Sequence, residues 1–426
     1  VRRTDMKITF YLVRHGETLF NHLGRMQGSC DSPLTERGIA QAHETSNRLK
    51  DVWFDHIYSS PSERAWNTAD IIAKGREVQP VLLSGLHEMS FGRLDGARHT
   101  AHAEEIRQCR ESLDYSCAGG ESPAMMETRI RKTLQTIIDE AEDGDRILLV
   151  GHGMYQICTM KYLLDVDIDA LHQECITAGR SMIPNGGIMV FTYEDGEYQI
   201  QQVSVEPKNF VYKMEEKTVN LYYVRHGETL FNHYNRMQGR SDSPLTAQGI
   251  EQVKLSGKAL HHVDFAFAYC STAERARDTA AYILEPHDIT AIPNQDLREI
   301  NFGTYEARVR DAIMDELYER FNPRVDFSDV GGESEEQVVE RIDRILKLVV
   351  SRAKDGENVL LVAHGSLYMT LLKHLFNIYR ADLTEQKKAE GKHIMPNGGI
   401  AKFTFSNGTY HLDQLMITPE EFMEVK

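Results

Sequence analysis

An eight-residue run occurs twice in this chain and restricts its possible folds more than any other feature. Arg14-His15-Gly16-Glu17-Thr18-Leu19-Phe20-Asn21 returns as Arg225-His226-Gly227-Glu228-Thr229-Leu230-Phe231-Asn232, each time directly after a short apolar stretch. The correspondence continues in register. Pro33-Leu34-Thr35 matches Pro244-Leu245-Thr246, Glu63-Arg64-Ala65 matches Glu274-Arg275-Ala276, and Gly119-Gly120-Glu121-Ser122 matches Gly331-Gly332-Glu333-Ser334. Further on, Gly151-His152-Gly153 faces Ala363-His364-Gly365, and Pro184-Asn185-Gly186-Gly187 faces Pro396-Asn397-Gly398-Gly399. A repeat of roughly 210 residues is too long for a solenoid unit, so each copy reads as a complete domain with its own core.

The repeat offset is 211 residues at the first histidine and at Glu88/Glu299, but 212 at the second histidine. One residue was therefore gained or lost between the glutamate and Gly-Gly-Glu-Ser. The copies also agree least there, over Asp95 to Cys117 and Glu306 to Val330. The domains are read as 1–214 and 215–426, with a linker over about 205–214. Phe210, Val211 and Tyr212 suggest that this linker packs against a domain.

Ile8 to Val13 and Val219 to Val224 are β-branched and aromatic and read as buried strands, each ending at Arg-His-Gly. Arg146 to Val150 and Asn358 to Val362 are strands of the same kind, so His152 and His364 also stand at carboxyl edges. Ser334 and Gln337 have capping-box spacing, after which Val338, Ile342, Ile345, Leu346 and Val349 share one helical face. Ser122-Pro123 opens the equivalent helix in the first copy. Tyr193-Glu194-Asp195-Gly196 and Ser406-Asn407-Gly408 read as hairpin turns. The fold class that follows is α/β: two tandem three-layer α/β/α domains, each with a mostly parallel sheet. Ligands bind such sheets beyond the carboxyl ends of the strands, where the two histidines of each copy converge.

Composition removes several classes of function. A formal net charge of −16 argues against nucleic acid as a partner, and no segment has the apolar length of a membrane helix. Five of six cysteines lie in the first copy and only Cys270 in the second, which excludes a disulfide framework or zinc site common to both. Residues 1–6 are too short and polar for a signal peptide, and reduced thiols fit a cytoplasmic location.

Each copy carries the same polar set. It is Arg14, His15, Asn21, Arg64, Glu88 and His152 in the first, and Arg225, His226, Asn232, Arg275, Glu299 and His364 in the second. Two arginines, two histidines and a carboxylate suit phosphoryl transfer through a covalent phosphohistidine. Fixed guanidinium forks stabilise the equatorial oxygens, a neutral histidine attacks phosphorus, and a carboxyl group supplies the leaving oxygen with a proton. The reaction proposed needs neither metal nor cofactor.

On these motifs the chain resembles the histidine phosphatase superfamily, also called the phosphoglycerate mutase-like family, along nearly its whole length. The signature Leu-Val-Arg-His-Gly-Glu-Thr stands at Leu12 to Thr18, with Tyr223 replacing the leucine in the second copy. The resemblance implies that His15 and His226 are nucleophiles and that Glu88 and Glu299 are proton donors. It implies phosphate pockets formed by Arg14, Asn21, Arg64 and His152, and by Arg225, Asn232, Arg275 and His364. Family mutases follow the glutamate with Arg-His-Tyr-Gly, and phosphatases with Phe-Gly and then Trp-Glu-Gly. Phe91-Gly92-Arg93-Leu94-Asp95-Gly96 and Phe302-Gly303-Thr304-Tyr305-Glu306-Ala307 side with the phosphatases. Both lack the tryptophan, and Ala307 in place of the last glycine leaves the shape of that loop open.

The expected partner is a small phosphorylated metabolite, hydrolysed with different preferences in the two halves. The alternatives are mutase-type transfer, or one half acting as a phospholigand-binding module. Of the remaining residues, His99 and His102 read as surface histidines rather than metal ligands. His22 and His233 read equally as substrate contacts or loop formers, and Gln27-Gly28 and Gln238-Gly239 as loop framing. Arg308, Arg310, Arg320 and Arg324 are candidates for binding a second anionic group.

Overall fold

The protein was analysed as a computed structural model, which describes residues 6–212, 216–322 and 324–425, without the side chains of 386–388. The chain divides into two compact units, Val1–Lys213 and Met214–Lys426. The domain boundary expected near residue 214 and the amino-terminal residues 1–5 lie outside the described residues. Among the described residues no helix is long and apolar enough to cross a membrane.

The first unit holds strands β1 (Lys7–Arg14), β2 (His56–Ser59), β3 (Val81–Leu82), β4 (Arg146–Gly151), β5 (Ile188–Glu194) and β6 (Glu197–Val205). They form one sheet in the order β3-β2-β4-β1-β5-β6. The first four are mutually parallel, β5 is antiparallel to β1, and β6 is antiparallel to β5. Strand alternation explains why β1 is apolar throughout. Ile8, Phe10 and Leu12 enter one buried cluster while Tyr11 and Val13 enter another on the opposite face. Helices α1 (Glu36–Arg48) and α2 (Glu63–Ala73) lie on the second face. Helices α4 (Pro123–Glu140) and α5 (Gly153–Tyr162) cover the first, with α3 (Ala103–Ser112) and α6 (Ile168–Thr177) nearer the mouth of the site. This is the expected three-layer arrangement.

The second unit repeats it with β7 (Thr218–Arg225), β8 (Phe265–Ser271), β9 (Ala291–Asn294), β10 (Asn358–Ala363), β11 (Ile400–Ser406) and β12 (Thr409–Ile417), in the order β12-β11-β7-β10-β8-β9. Its longer helices are α7 (Ala247–Leu260), α8 (Glu274–Leu284), α9 (Met314–Phe321), α10 (Glu335–Arg352), α11 (Gly365–Phe376) and α12 (Arg380–Ala389).

Local chemistry behaves as the sequence implied. Ser334 and Gln337 cap α10 reciprocally, and the five apolar residues on its face are buried. The hairpins turn at Asp195-Gly196 and Asn407-Gly408, all four with positive φ. Phe210 is buried in the second-face cluster of the first unit and Tyr212 packs beside it, but Val211 is 68% exposed, so only two of the three linker residues pack.

Candidate active site

The long repeated run is a self-tied loop. Thr18 and Asn21 bracket a one-turn helix, the threonine hydroxyl accepting from the Asn21 amide and the Asn21 Oδ1 from the Thr18 amide, both at 3.2 Å. Glu17 accepts from the Thr35 hydroxyl at 2.9 Å, linking the run to Pro-Leu-Thr. A Cβ on Gly16 would stand 2.2 Å from the Gly38 carbonyl oxygen, and one on Gly38 would stand 2.0 Å from that of Glu17. The loop therefore requires glycine on both sides of this contact. Gly227 and Gly249 repeat it.

Because β1 and β4 are parallel neighbours with Arg14 opposite Gly151, His15 and His152 leave the same sheet edge side by side. Their ring centroids lie 5.3 Å apart, and those of His226 and His364 lie 5.2 Å apart. His15 Nδ1 is 2.7 Å from the Gly16 carbonyl oxygen, as His226 Nδ1 is from that of Gly227. A carbonyl only accepts, so Nδ1 carries the proton and Nε2 keeps its lone pair. Burial, then Arg64 and Arg14, hold the pKa of His15 well below the usual histidine value. Burial, then Arg275 and Arg225, do so for His226. Arginines assist, as the sequence suggested, but desolvation is the larger cause.

Arg14 donates to the Ile183 carbonyl at 2.6 Å, and its buried Nε–H has no partner; Arg225 is held by the Met395 carbonyl, with Nε likewise unpaired. Arg64 is fully buried and largely committed. It donates to the carbonyls of Cys30 and Gly28 at 3.0 Å, to Asp31 at 2.8 Å and to His152 Nδ1 at 3.2 Å. Arg275 has the same partners one copy on, but reaches His364 through Nη2 and leaves Nε unpaired. The far nitrogens of His152 and His364 stand 2.8 Å from the hydroxyls of Ser60 and Ser271. The second histidine is thus held by an arginine on one side and a serine on the other.

Glu88 and Glu299 are buried. Glu88 accepts from the backbone amides of Met89, Met154 and Tyr155 at 2.9, 3.0 and 2.9 Å. The last two are orphan donors at the start of α5, which the carboxylate satisfies from outside the helix. Ile300, Ser366 and Leu367 serve Glu299 equally at 3.0, 2.9 and 2.8 Å. Burial raises the pKa of Glu88, against the pull of those amides. The Gly-Gly-Glu-Ser motif acquires a role here. Glu121 forms a bidentate pair with Arg129 at 3.0 and 2.8 Å and accepts from the Ser90 amide, while Arg129 also holds the carbonyls of Gly85 and His87. Arg341 and Glu333 brace the Glu299 loop in the same way.

Arg14, His15, Asn21, Gln27 and Glu88 line a cavity of about 400 Å³, while Arg64 and His152 are fully buried outside that lining, the His152 ring beside that of His15. Asn21 Oδ1 also accepts from Asn185 Nδ2 at 3.1 Å, which leaves its own Nδ2–H₂ as the donor group. Arg225, Gln238 and Glu299 line a larger cavity of about 760 Å³ in the second unit. His226 and Asn232 are outside that lining; Asn397 ties them together, its Nδ2 3.2 Å from both the His226 carbonyl and Asn232 Oδ1. All twelve expected residues are brought together, six in each unit.

Three secondary expectations change. His99 is not a plain surface histidine: it lines the first cavity and lies 3.4 Å from Arg110, whereas His102 faces Glu105 outside. Exposed His22 and His233 lie outside both cavity linings. Of the basic cluster, Arg308, Arg320 and Arg324 pair with Glu316, Asp329 and Glu336, and only Arg310 lines the cavity. Ala307 keeps a φ of +62°, against +77° at Gly96, so the loop has the same left-handed turn without its glycine. Sequence reasoning assigned no role to Ser60/Ser271, Asn185/Asn397 or Arg129/Arg341, although each pair recurs in register, and it passed over Arg380.

The sequence profile of the histidine phosphatase superfamily (branch 1) matches residues 10–206 and again 221–418. The chain belongs to that superfamily. Over 165 residues it is 37% identical to a probable phosphoglycerate mutase of Yersinia pestis, covering 38% of this chain and 76% of that protein. A phosphoglycerate mutase structure from Bacillus anthracis covers 50% of this chain and 98% of its own, at 26% identity and a TM-score of 0.43. A phosphoserine phosphatase from Entamoeba histolytica, in complex with phosphoglyceric acid, covers 46% and 97% at 28% identity and a TM-score of 0.38. The chain is thus a tandem member of the superfamily.

Two expectations follow from this geometry. Arg129→Met releases the Glu88 loop, so amide hydrogen exchange at Met89, Met154 and Tyr155 accelerates about tenfold or more, the weight of one to two kcal/mol of lost charge-assisted bonding. Unchanged protection contradicts the bracing role. The four buried histidines are neutral when folded, so the unfolded chain binds the extra protons below its own histidine pKa of about 6.5. Stability is therefore flat in this respect above that pH. It falls as pH drops from there toward the depressed folded values, by up to about 1.4 kcal/mol per pH unit for each histidine. Urea midpoints between pH 7.5 and 5.5 (about one unit to either side of that pKa) measure the slope, and His152→Gln with His364→Gln flattens it.

Proposed function

We propose that each unit hydrolyses small phosphomonoesters through a phosphohistidine, His15 in the first and His226 in the second. The observation that carries this reading is the histidine held by its Nδ1–H, with a free Nε2 lone pair beside unpaired arginine N–H groups and a buried carboxyl group. In the first step Nε2 bonds to phosphorus as the ester P–O bond breaks, and Glu88 or Glu299 gives its proton to the departing oxygen. Burial favours the protonated form of Glu88 that this step requires. Arg14, Arg64 and Asn21 direct donors at the oxygens of the transferring group, with His152 set by Arg64 and Ser60. In the second step water attacks phosphorus, its proton returns to the carboxylate, and the N–P bond breaks to release phosphate.

The Phe-Gly context after each glutamate favours hydrolysis over mutase transfer. Transfer to a second hydroxyl group is the alternative, and the name of the Yersinia pestis relative favours it. Acid-labile, base-stable labelling from a radiolabelled phosphoester tests the common step. His15→Ala and His226→Ala each remove one of two labelled sites, lower turnover by about 10⁴-fold or more at that site, and together abolish the label. Undiminished turnover in the double variant defeats the proposal. Release of inorganic phosphate in step with the alcohol supports hydrolysis, whereas isomerised phosphoester without phosphate release supports the mutase.

A further inference from the structure

The second cavity contains two guanidinium groups that the chemistry above does not use. Arg310 opens a turn ahead of α9, and its buried Nε has no partner. Arg380 is the first residue of α12 and stacks on Phe321 with its guanidinium carbon 4.8 Å from the ring centre. Both line the cavity with Arg225 and Glu299, and Arg380 also lines an adjoining cavity of about 480 Å³. Among the described residues neither forms an ion pair with a carboxylate, whereas Arg308, Arg320 and Arg324 all do. The other acid on the wall, Glu385, is exposed. Burial holds the pKa of Arg380 down to about 10, with Arg310 adding to the depression and Glu299 opposing it. Two unpaired, half-buried like charges facing one cavity are costly until an anion joins them. At the matching positions the first unit has His99 and Ile168. Its Arg180 is paired with Glu174 and its Arg25 is bound to the Gly96 carbonyl, while Arg110 on the same wall lies 3.4 Å from His99 Nδ1.

We propose that the second unit takes phosphomonoesters carrying a further anionic group, a carboxylate or a second phosphate, which Arg310 and Arg380 bind. This rests on the phosphatase reading above. The test uses the full chain with His15→Ala, so that only the second unit turns over. Phosphoglycolate supplies the carboxylate, ethylene glycol bisphosphate the second phosphate, and ethyl phosphate the neutral match. The expected kcat/KM preference for one or both charged esters over ethyl phosphate is about 10–100-fold, as for one or two charge-assisted bonds. Arg310→Gln with Arg380→Gln abolishes that preference. A preference that is absent, or that survives both substitutions, overturns the proposal. If no ester is hydrolysed, the phosphatase reading fails separately. Calorimetry with phosphonopropionate against propylphosphonate then decides on the anion site alone, and equal affinities in the unsubstituted chain overturn it.

A separate feature of the first unit points to thiol chemistry. Cys109 on α3 and Cys117 in the following single turn have Sγ atoms 3.5 Å apart, the first buried and the second exposed. In the second unit the same two elements are joined by the Arg320–Asp329 pair, and Cys117 and Asp329 each stand two residues before the matching glycine. We infer that Cys109 and Cys117 form a disulfide when a peroxide is present. Peroxide converts the Cys117 thiol to a sulfenic acid with loss of water. The Cys109 sulfur then displaces a second water, so one peroxide oxidises two thiols. The closed loop contains Arg110 and Tyr115 on the cavity wall, so oxidation acts on the first site. Peptide mass spectrometry after hydrogen peroxide and alkylation is expected to find the 109–117 crosslink, reversed by dithiothreitol. With His226→Ala, KM for ethyl phosphate shifts at least twofold on oxidation, and Cys117→Ser removes the shift. Recovery of Cys117 only as sulfinic or sulfonic acid, or an unmoved KM despite the crosslink, overturns the inference.

Discussion

The parallel pairing of β1 with β4, and of β7 with β10, is the constraint on which each site depends. It sets Arg14 opposite Gly151 and Arg225 opposite Ala363, so residues far apart in sequence leave the sheet at one level. A shift of one residue would turn every side chain of the strand to the opposite face, exchanging the two buried clusters. Because both faces are filled, the register is fixed by packing, and the histidine geometry comes with it. The antiparallel neighbours β5 and β11 close the other side and bring in the Asn185 and Asn397 loops that tie the repeated run.

Around that edge the protein buries arginines that would be unstable alone. Arg64 is tolerated because two carbonyls, a carboxylate and a ring nitrogen take its donors. Arg14 is less fully satisfied, and its unpaired Nε–H is what an incoming anion would complete. Burial serves two opposite ends in one site. It keeps His15 neutral by disfavouring the cation, and it moves Glu88 toward its protonated form by disfavouring the anion. A neutral imidazole and a carboxyl group biased toward protonation thereby share one site without either being the other's partner.

Most of this was legible in the sequence because duplication marks what geometry requires. The strands, the hairpins, the capping box of α10 and the polar set were all readable from pattern and register. The supporting residues were not, for an identifiable reason. Ser60, Asn185 and Arg129 act through other side chains or backbone carbonyls, and a serine or arginine has no spacing rule that announces such a contact. Repetition was the available signal, since Ser271, Asn397 and Arg341 stand at the matching positions. Arg380 offered none, because its counterpart is Ile168 and nothing near it repeats. His99 was misjudged for a related reason: the second copy has no matching histidine and no ligand set stands near it in sequence, so it read as a surface residue, whereas it lines the cavity.

The two copies diverge where the fold allows it. The segment after each glutamate is anchored at both ends by conserved-in-register contacts: Asp95 or Glu306 accepts from the amides of Gly28 or Gly239, and Glu121 or Glu333 is locked to Arg129 or Arg341. Between those anchors the chain contributes a helix that packs few residues into the core, Ile106 and Cys109 in α3 and only Leu317 in α9. Such a helix can change its length and polar residues without altering the histidine geometry, because no bond of the buried arginine–histidine pair passes through it. The brace across it is also free to change, from a thiol pair in one unit to an ion pair in the other. The repeated polar set and the variable helix therefore rest on different hydrogen-bond networks that share one cavity, and a duplicated domain could vary the second while retaining the first.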